Sequence, residues 1–186
     1  TAVPTISSVS LSSNNLNITV NFSENVYNSS SGSGDLTADD FVFVLTGGTA
    51  TLASTTPSAI NKISQSIYDL SINVSGSANS AEQLTVNPVS SAIFDQTGNI
   101  ASTSQSNNQV TFSDTTAPTI TNTNLFSNEA IRVTFNENVY NTNSGGELEA
   151  SDFQLSLANG TAVLNSNTPS AIGKVSQSIY DLSISY

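Results

Sequence analysis

The sequence predicts an all-β protein made of two tandem immunoglobulin-like β-sandwiches, the second of which is incomplete in this chain. Short runs of alternating apolar and polar residues recur along all 186 residues, separated by Gly, Asn, Ser and Pro. A stretch of 17 residues beginning at Thr56 also returns at Thr168 with 15 identical positions, an offset of 168 − 56 = 112. A self-match this long indicates one structural unit of about 112 residues that is repeated.

The alternating runs predict about seven strands in the first unit. Ile18, Val20 and Phe22 are typical of the apolar rows that would line a core between two sheets, while the Ser, Thr and Asn residues between them face solvent. The one helical element expected is a single turn at residues 37–40, with Thr37 as its cap. The strands are placed near residues 5–12, 16–22, 41–46, 49–54, 66–75, 83–88 and 108–113.

The boundary between the units is predicted at Asp114, which gives domains 1–114 and 115–186. The connection is short, and this predicts sandwiches held end to end in a stiff rod. Tyr186 corresponds to Val74, since 186 − 112 = 74, so the second unit has no counterparts of its last two strands. We expect either that the residues belong to a longer array that supplies these strands, or that strands of another molecule complete the sandwich.

Composition argues against several classes of function. Acidic residues number 14 and basic residues 3, and a net charge of −11 disfavours nucleic acid and anionic lipid as partners. The sequence has no Cys and no His, so disulfides, thiolate or imidazole metal sites and the usual base–nucleophile pairs of enzymes are not expected. No apolar run approaches the roughly 20 residues of a membrane helix, and the first residues do not resemble a signal peptide. We therefore expect no enzyme activity, no membrane insertion and an internal piece of a longer protein.

Acidic residues, most of which recur in both units, form the candidate metal site, and Asp114, Glu137 and Asp152 are expected to converge at the junction between the units. Three recurring acidic positions lie in the long connection after the second strand, and residues 94–99 should reach the same end of the first sandwich. Oxygen ligands from carboxylates and carbonyls suit calcium. In the alternative interpretation, Asp40 and Asp152 cap a turn and the other acids are solvated. The candidate calcium ligands are Glu24, Asp40, Asp95, Asp114, Glu137 and Asp152.

Five further residues are singled out by their type or by their recurrence. Lys62 and Lys174 recur between the units, and we expect them to be solvated in a connection between strands rather than to form an internal covalent cross-link. Thr115, in Asp114-Thr-Thr, matches a short O-glycosylation pattern of some Bacteroidetes-like surface proteins. Tyr27 and Tyr140 both follow Glu-Asn-Val and are the candidates for an aromatic sugar-binding platform.

Several segments together resemble the tandem bacterial Ig-like repeats of very large secreted surface proteins, including adhesins of gliding bacteria. The segments begin at Val20 (VNFSENVY), Leu36 (LTADDF), Ala92 (AIFDQTGN), Gln105 (QSNNQVTF) and Asp114 (DTTAPTI). The resemblance implies an extracellular, rod-like array of β-sandwiches that serves in adhesion or as a stalk.

The function expected from architecture and resemblance is therefore a structural or adhesive repeat segment of a secreted bacterial surface protein. One alternative is a surface-filament subunit whose incomplete sandwich is closed by strands of a neighbouring molecule. Another is a carbohydrate-binding module. The expected partners are neighbouring Ig-like repeats in cis or identical chains in trans, with surface glycans as a further class.

Overall fold

The computed structural model describes residues 2–143 and 145–186, and they form an all-β structure of antiparallel sheets, as the sequence predicts. The chain divides into two compact units, unit 1 (Thr1–Thr116) and unit 2 (Ala117–Tyr186). The boundary predicted at Asp114 lies two residues before this division.

Unit 1 is a sandwich whose two larger sheets share one core. One sheet has the strand order β1-β2-β6-β5, the other β3-β8-β9, and a two-stranded ladder joins β4 to β7. The strands are β1 (Ile6–Leu11), β2 (Asn17–Phe22), β3 (Phe41–Thr46), β4 (Thr51–Leu52), β5 (Ala59–Ser64), β6 (Ile67–Ser71), β7 (Val74–Ser75), β8 (Gln83–Pro88) and β9 (Gln109–Thr111).

The core of unit 1 is built from the predicted alternating rows of both sheets. Ile18 and Val20 from one sheet pack with Phe43 and Val86 from the other, and all four side chains are fully buried. Burial of such apolar area, worth about 25 cal/mol per Å², is what drives the two sheets together. The polar residues between these positions remain at the surface, because successive strand residues face opposite sides.

Two of the predicted strands differ from the observed ones. The strand expected at 66–75 is divided into β6 and β7, because β6 pairs with β2 and β5 in one sheet whereas β7 pairs with β4 outside it. The chain thus changes partners at Ile72–Asn73, and a single ladder cannot continue through that change. The strand expected at 49–54 is reduced to Thr51–Leu52.

Strand β5 is an element that the sequence analysis missed. The sequence predicts a connection around Lys62 and no strand between residues 54 and 66, but residues 59–64 form an edge strand that pairs with β6. Its side chains alternate poorly, because the strand lies at the edge of the sheet and none of them is fully buried. Lys62 and, in unit 2, Lys174 therefore lie on strands, and the prediction that they lie in a connection was wrong.

Unit 2 repeats one sheet of this arrangement. Its strand order is β10-β11-β13-β12, which matches β1-β2-β6-β5 of unit 1. An aromatic cluster recurs as well: Phe135 lies 6.5 Å from Tyr180 edge to face, as Phe22 lies 6.4 Å from Tyr68. The strands are β10 (Ile120–Ser127), β11 (Ala130–Phe135), β12 (Ala171–Ser176) and β13 (Ile179–Ser183).

The predicted helical turn is present in unit 1 and recurs in unit 2. Ala38–Asp40 forms a 3₁₀ turn with Thr37 at its N-cap, which confirms the prediction. The Asp40 carboxylate accepts hydrogen bonds from the backbone amide of Thr37 (2.7 Å) and from its hydroxyl (3.2 Å). In unit 2, Ala150–Asp152 forms the same turn, and the backbone amide of Glu149 donates to Asp152 (2.8 Å).

Candidate functional site

Two of the candidate calcium ligands serve as turn caps. Asp40 and Asp152 each hold the N-terminal residue of a 3₁₀ turn through a carboxylate oxygen. Their sequence spacing places the carboxylate three residues after the amide that it accepts, which is the geometry of a capping box. Recurrence of these two acids between the units therefore has a structural cause in local backbone capping.

Asp95 is the candidate ligand with the most closed surroundings. Residues 94–99 do meet the connection after β2, as predicted, because Tyr27 and Phe94 exchange two backbone hydrogen bonds of 2.8 Å. The buried Asp95 carboxylate turns inward, however, and its Oδ1 accepts hydrogen bonds from the amides of Thr97 and Asn99, both 2.8 Å. Asn99 Nδ2 donates to Oδ2 at 2.5 Å.

The pKa of Asp95 reflects this ring of donors. Burial raises the pKa, but the hydrogen bonds from Asn99 and Thr97 outweigh burial and lower it to about 2. The carboxylate is thus held ionised by the protein's own donors, and its role in the fold is to close the 95–99 loop.

No group of three or more acidic side chains that could hold a metal occurs in residues 2–143 and 145–186. Calcium binding through Asp114, Glu137 and Asp152, and through Glu24 in unit 1, stays a prediction that a melting experiment tests. In the same described residues, no helix is long and apolar enough to cross a membrane.

A recurring ion-pair network connects the β5–β6 hairpin to the long connection after β2. Lys62 Nζ binds the Asp35 carboxylate at 2.5 Å and Gln65 Oε1 at 2.6 Å. Gln65 in turn donates from Nε2 to the backbone carbonyl of Val26 at 2.6 Å. The Lys–Gln network, as we call this set, returns in unit 2 through Lys174, Glu147, Gln177 and Val139 with distances of 2.6–2.7 Å.

Glu82 is the buried acidic residue that sequence reasoning missed. Its side chain is fully buried, and its carboxylate accepts backbone amides from Thr49 (2.6 Å), Ala50 (2.9 Å) and Asn79 (3.0 Å). Burial raises the pKa of Glu82, but these amide donors outweigh burial and hold it below the ordinary value of 4.5. Glu82 has no counterpart in unit 2 of this sequence, so recurrence between the units could not have pointed to it.

The carboxylate of Glu82 fills a tight turn. Gly47 and Gly48 both have positive φ, and a methyl group at Gly48 would overlap the Glu82 carboxylate. Successive amides that converge on one anion form an anion-binding nest. Glu82 therefore fixes the β3–β4 turn to the start of β8.

The remaining candidate residues lie at the surface. Thr115 is exposed, and its hydroxyl accepts a hydrogen bond of 2.9 Å from the amide of Ala78. Its O-glycosylation stays a prediction that mass spectrometry of the native protein tests. Tyr27 is half-buried and its backbone is paired with Phe94, whereas Tyr140 is 52% exposed. The two tyrosines thus do not present equivalent exposed platforms.

Unit 2 exposes apolar residues whose counterparts in unit 1 are buried or half-buried. Ile120 is 53% exposed and its counterpart Ile6 only 1%, and every residue of β10 is exposed. A groove of about 380 Å³ lies between this sheet and the segment 153–156, with Leu125, Phe153 and Leu155 among its lining residues. We call this surface of unit 2 the open face.

Comparisons of the chain with family models, curated proteins and solved structures found no match.

Proposed function

We propose that the chain is a structural repeat segment of an extracellular bacterial surface protein, in which its sandwich units add length and stiffness to a stalk or adhesive array. The observation that carries the proposal is the recurrence of whole contact sets in both units. The aromatic cluster, the 3₁₀ turn and the Lys–Gln network all return, and each of them maintains the fold. Repetition of fold-maintaining contacts is typical of arrays whose function is extension.

The bonding of the two ends of unit 1 supports a mechanical role. Asn15 is buried beside the end of β9: its Nδ2 donates to the carbonyl of Ser113 at 2.7 Å, and its Oδ1 accepts the amide of Ser113 at 2.8 Å. Gln105 Oε1 also accepts the amide of Ile6 at 2.8 Å. The first strand is therefore tied to the last segment of the unit, where a pulling force along the chain would act.

Single-molecule stretching of the full chain tests the mechanical part of the proposal. Unit 1 should unfold in one step that releases about 400 Å, since its 116 residues each extend by roughly 3.3–3.6 Å. Asn15→Gly, which keeps the positive φ of this position without strain, should lower the unfolding force because it removes both side-chain hydrogen bonds to Ser113. Ser13→Gly, at an exposed position of the same turn, is the matched control. Gradual extension of unit 1 without a discrete step would contradict a mechanical function.

Surface location is tested separately. Antibodies against the chain should label intact cells of the source organism as strongly as permeabilised ones. Labelling that requires permeabilisation would show that the protein is not extracellular, whatever its mechanical behaviour.

A further inference from the structure

The open face of unit 2 corresponds to the surface that β8 and β9 cover in unit 1. In unit 1, β3 pairs with β8 in antiparallel register, so that Phe43 lies opposite Val86 and Leu45 opposite Leu84. The corresponding residues of unit 2 are Leu155 and Leu157, in a segment that forms no strand in the structure. In the described part of the chain, no strand pairs with this segment as β8 pairs with β3.

The segment around Leu155 is nevertheless held in the position of a strand. The backbone amide of Leu155 donates to the carbonyl of Asn167 at 2.7 Å. In unit 1 the amide of its counterpart Phe43 donates to the carbonyl of Thr55 at the same distance. Amides of successive strand residues point to opposite edges. In a strand conformation, the amides of Gln154 and Ser156 therefore face the edge that β8 occupies in unit 1. These amides are available to pair with an antiparallel strand.

The pair of positive-φ residues that forms the nest around Glu82 in unit 1 recurs in unit 2. Asn159 and Gly160 replace Gly47 and Gly48 and keep positive φ angles of 65° and 117°. The amides of Thr161 and Ala162 correspond to those of Thr49 and Ala50, which bind the Glu82 carboxylate. The space around Gly160 is open, whereas the space at Gly48 is filled by that carboxylate.

The geometry points to a specific occupant: the open face of unit 2 binds an extended segment with the sequence pattern of residues 75–114 of this chain. The segment adds a strand antiparallel to residues 153–158. Its apolar side chains, at alternate positions, lie opposite Leu155 and Leu157. A glutamate two residues before the first of these apolar positions places its carboxylate on the amides of Thr161 and Ala162. In unit 1 this pattern is Glu82-Gln-Leu-Thr-Val-Asn-Pro88.

A second copy of unit 2, paired edge to edge, is the competing occupant. Such a pairing would place residues 153–157 of the two copies side by side and would cover part of the open face. With Leu155 opposite Leu155 of the second copy, Ser151 would take the place of Glu82, and the nearest acid, Asp152, is already bound to the amide of Glu149. The recurring pair of positive-φ residues therefore favours the glutamate-containing segment.

The test is a fusion to the full chain, in which residues 75–114 are copied and appended after Tyr186. Three versions are compared: the native segment, the segment with Glu82→Gln in the appended copy, and a composition-matched scrambled segment. Amide hydrogen exchange and calorimetry are measured, with unit 1 as the internal control for folding.

The native segment should slow exchange of the Gln154, Ser156, Thr161 and Ala162 amides by at least about tenfold, the change that 1.4 kcal/mol produces. It should raise the melting temperature of unit 2 by about 4–8 °C or more. Glu82→Gln should keep the protection of Gln154 and Ser156 and weaken that of Thr161 and Ala162, because a neutral amide oxygen is a weaker acceptor than a carboxylate.

Two results would overturn the inference. One is equal protection by the native and scrambled segments. The other is protection of Gln154 and Ser156 in the unfused chain together with a dimer mass in light scattering, since that would assign the open face to a second copy. Equal protection of Thr161 by the native and Glu82→Gln segments would remove the glutamate from the recognition pattern. None of these results depends on where the protein is located, so the surface-repeat function stands or falls separately.

Discussion

At the scale of single residues, two buried carboxylates of this protein accept hydrogen bonds from backbone amides and so fix the conformation of turns and loops. Glu82 binds three amides of a turn and of the segment before β8, and Asp95 closes the 95–99 loop on itself. Both are buried, and an ionised buried carboxylate is tolerated only when donors surround it. Their hydrogen bonds are the reason why two acids occur inside a chain whose acidic residues otherwise lie at or near the surface.

Glu82→Gln should destabilise unit 1 by about 2 kcal/mol, the order expected when hydrogen bonds to a charged group are lost. The amide side chain offers one acceptor oxygen, so one of the bound backbone amides would face an NH₂ group. Denaturant unfolding followed by circular dichroism measures the effect. Glu24→Gln, at a partly exposed position, is the matched control and should change stability by less than about 0.5 kcal/mol. Equal effects of the two variants would contradict the role assigned to Glu82.

The stability of unit 1 should fall as pH falls from about 4 to about 2. Asp95 has a folded pKa of about 2 against an ordinary 3.8, and the pKa of Glu82 is also lowered from 4.5, so the unfolded state binds more protons in this range. The contribution of both groups is complete above the ordinary values and disappears as they protonate in the folded state. Urea midpoints between pH 2 and 7 measure this loss. Asp95→Asn removes one titrating group, and a midpoint curve as steep as that of the parent would argue against the prediction.

At the scale of elements, the β5–β6 hairpin carries the most closely repeated stretch of sequence. Two hydrogen bonds connect Gln65 of this hairpin to Val26. The Gln65 side chain donates to the carbonyl of Val26, and the amide of Val26 donates to the carbonyl of Gln65 at 3.0 Å. Lys62 adds an ion pair with Asp35, in which the Asp35 side chain is 62% exposed. Two contacts of different kind therefore hold one hairpin to the same connection.

Gln65→Ala should cost unit 1 about 1 kcal/mol, because it removes a partly buried hydrogen bond to a backbone carbonyl. Lys62→Ala should cost less than about 1 kcal/mol, because solvent screens an exposed ion pair, and its effect should shrink further in high salt. Unfolding midpoints of the two variants at low and high salt separate these contributions. A larger loss of stability for Lys62→Ala than for Gln65→Ala would show that the ion pair, and not the Gln65 hydrogen bond, contributes more to holding the hairpin.

At the scale of the whole molecule, the two units differ in how much core they contain. Among the described residues, the buried apolar cluster of unit 1 has 18 members and that of unit 2 has four. The four are Val133, Val139, Tyr180 and Leu182. Since apolar burial is the main favourable term of folding, unit 2 is the less stable of the two while its open face is uncovered.

Limited proteolysis of the full chain should therefore cut unit 2 before unit 1. Residues 153–164 are the expected region of first cleavage, because they lack strand pairing and include exposed Leu157 and Val163. Mass spectrometry of the early fragments identifies the cut. First cleavage within unit 1 would contradict the ranking of the two cores.

Calcium binding predicts a higher melting temperature in millimolar calcium than in chelator, because a ligand that binds only the folded state stabilises it. Asp114→Asn, Glu137→Gln and Asp152→Asn should each reduce the shift if these residues are ligands. The same melting temperature in calcium and in chelator would rule out the predicted site.

The sequence by itself determined the strand rows of the core and the repeat. Alternation at Ile18, Val20 and Phe22 predicted the buried face of β2, because side chains of a strand alternate between its two sides. The duplication also predicted which residues of unit 2 would repeat the geometry of unit 1. Capping at Thr37 and Asp40 was visible as well, since a capping box is defined by local spacing.

Only the tertiary structure decided the features that depend on distant partners. Edge strand β5 shows little alternation, and its identity comes from pairing with β6. Glu82 became recognisable only when the fold brought it to the amides of Thr49 and Ala50, some 30 residues earlier. Leu155 and Leu157 repeat a strand pattern without forming a strand, because a β-strand is stabilised by a neighbour's hydrogen bonds and cannot be fixed by its own sequence.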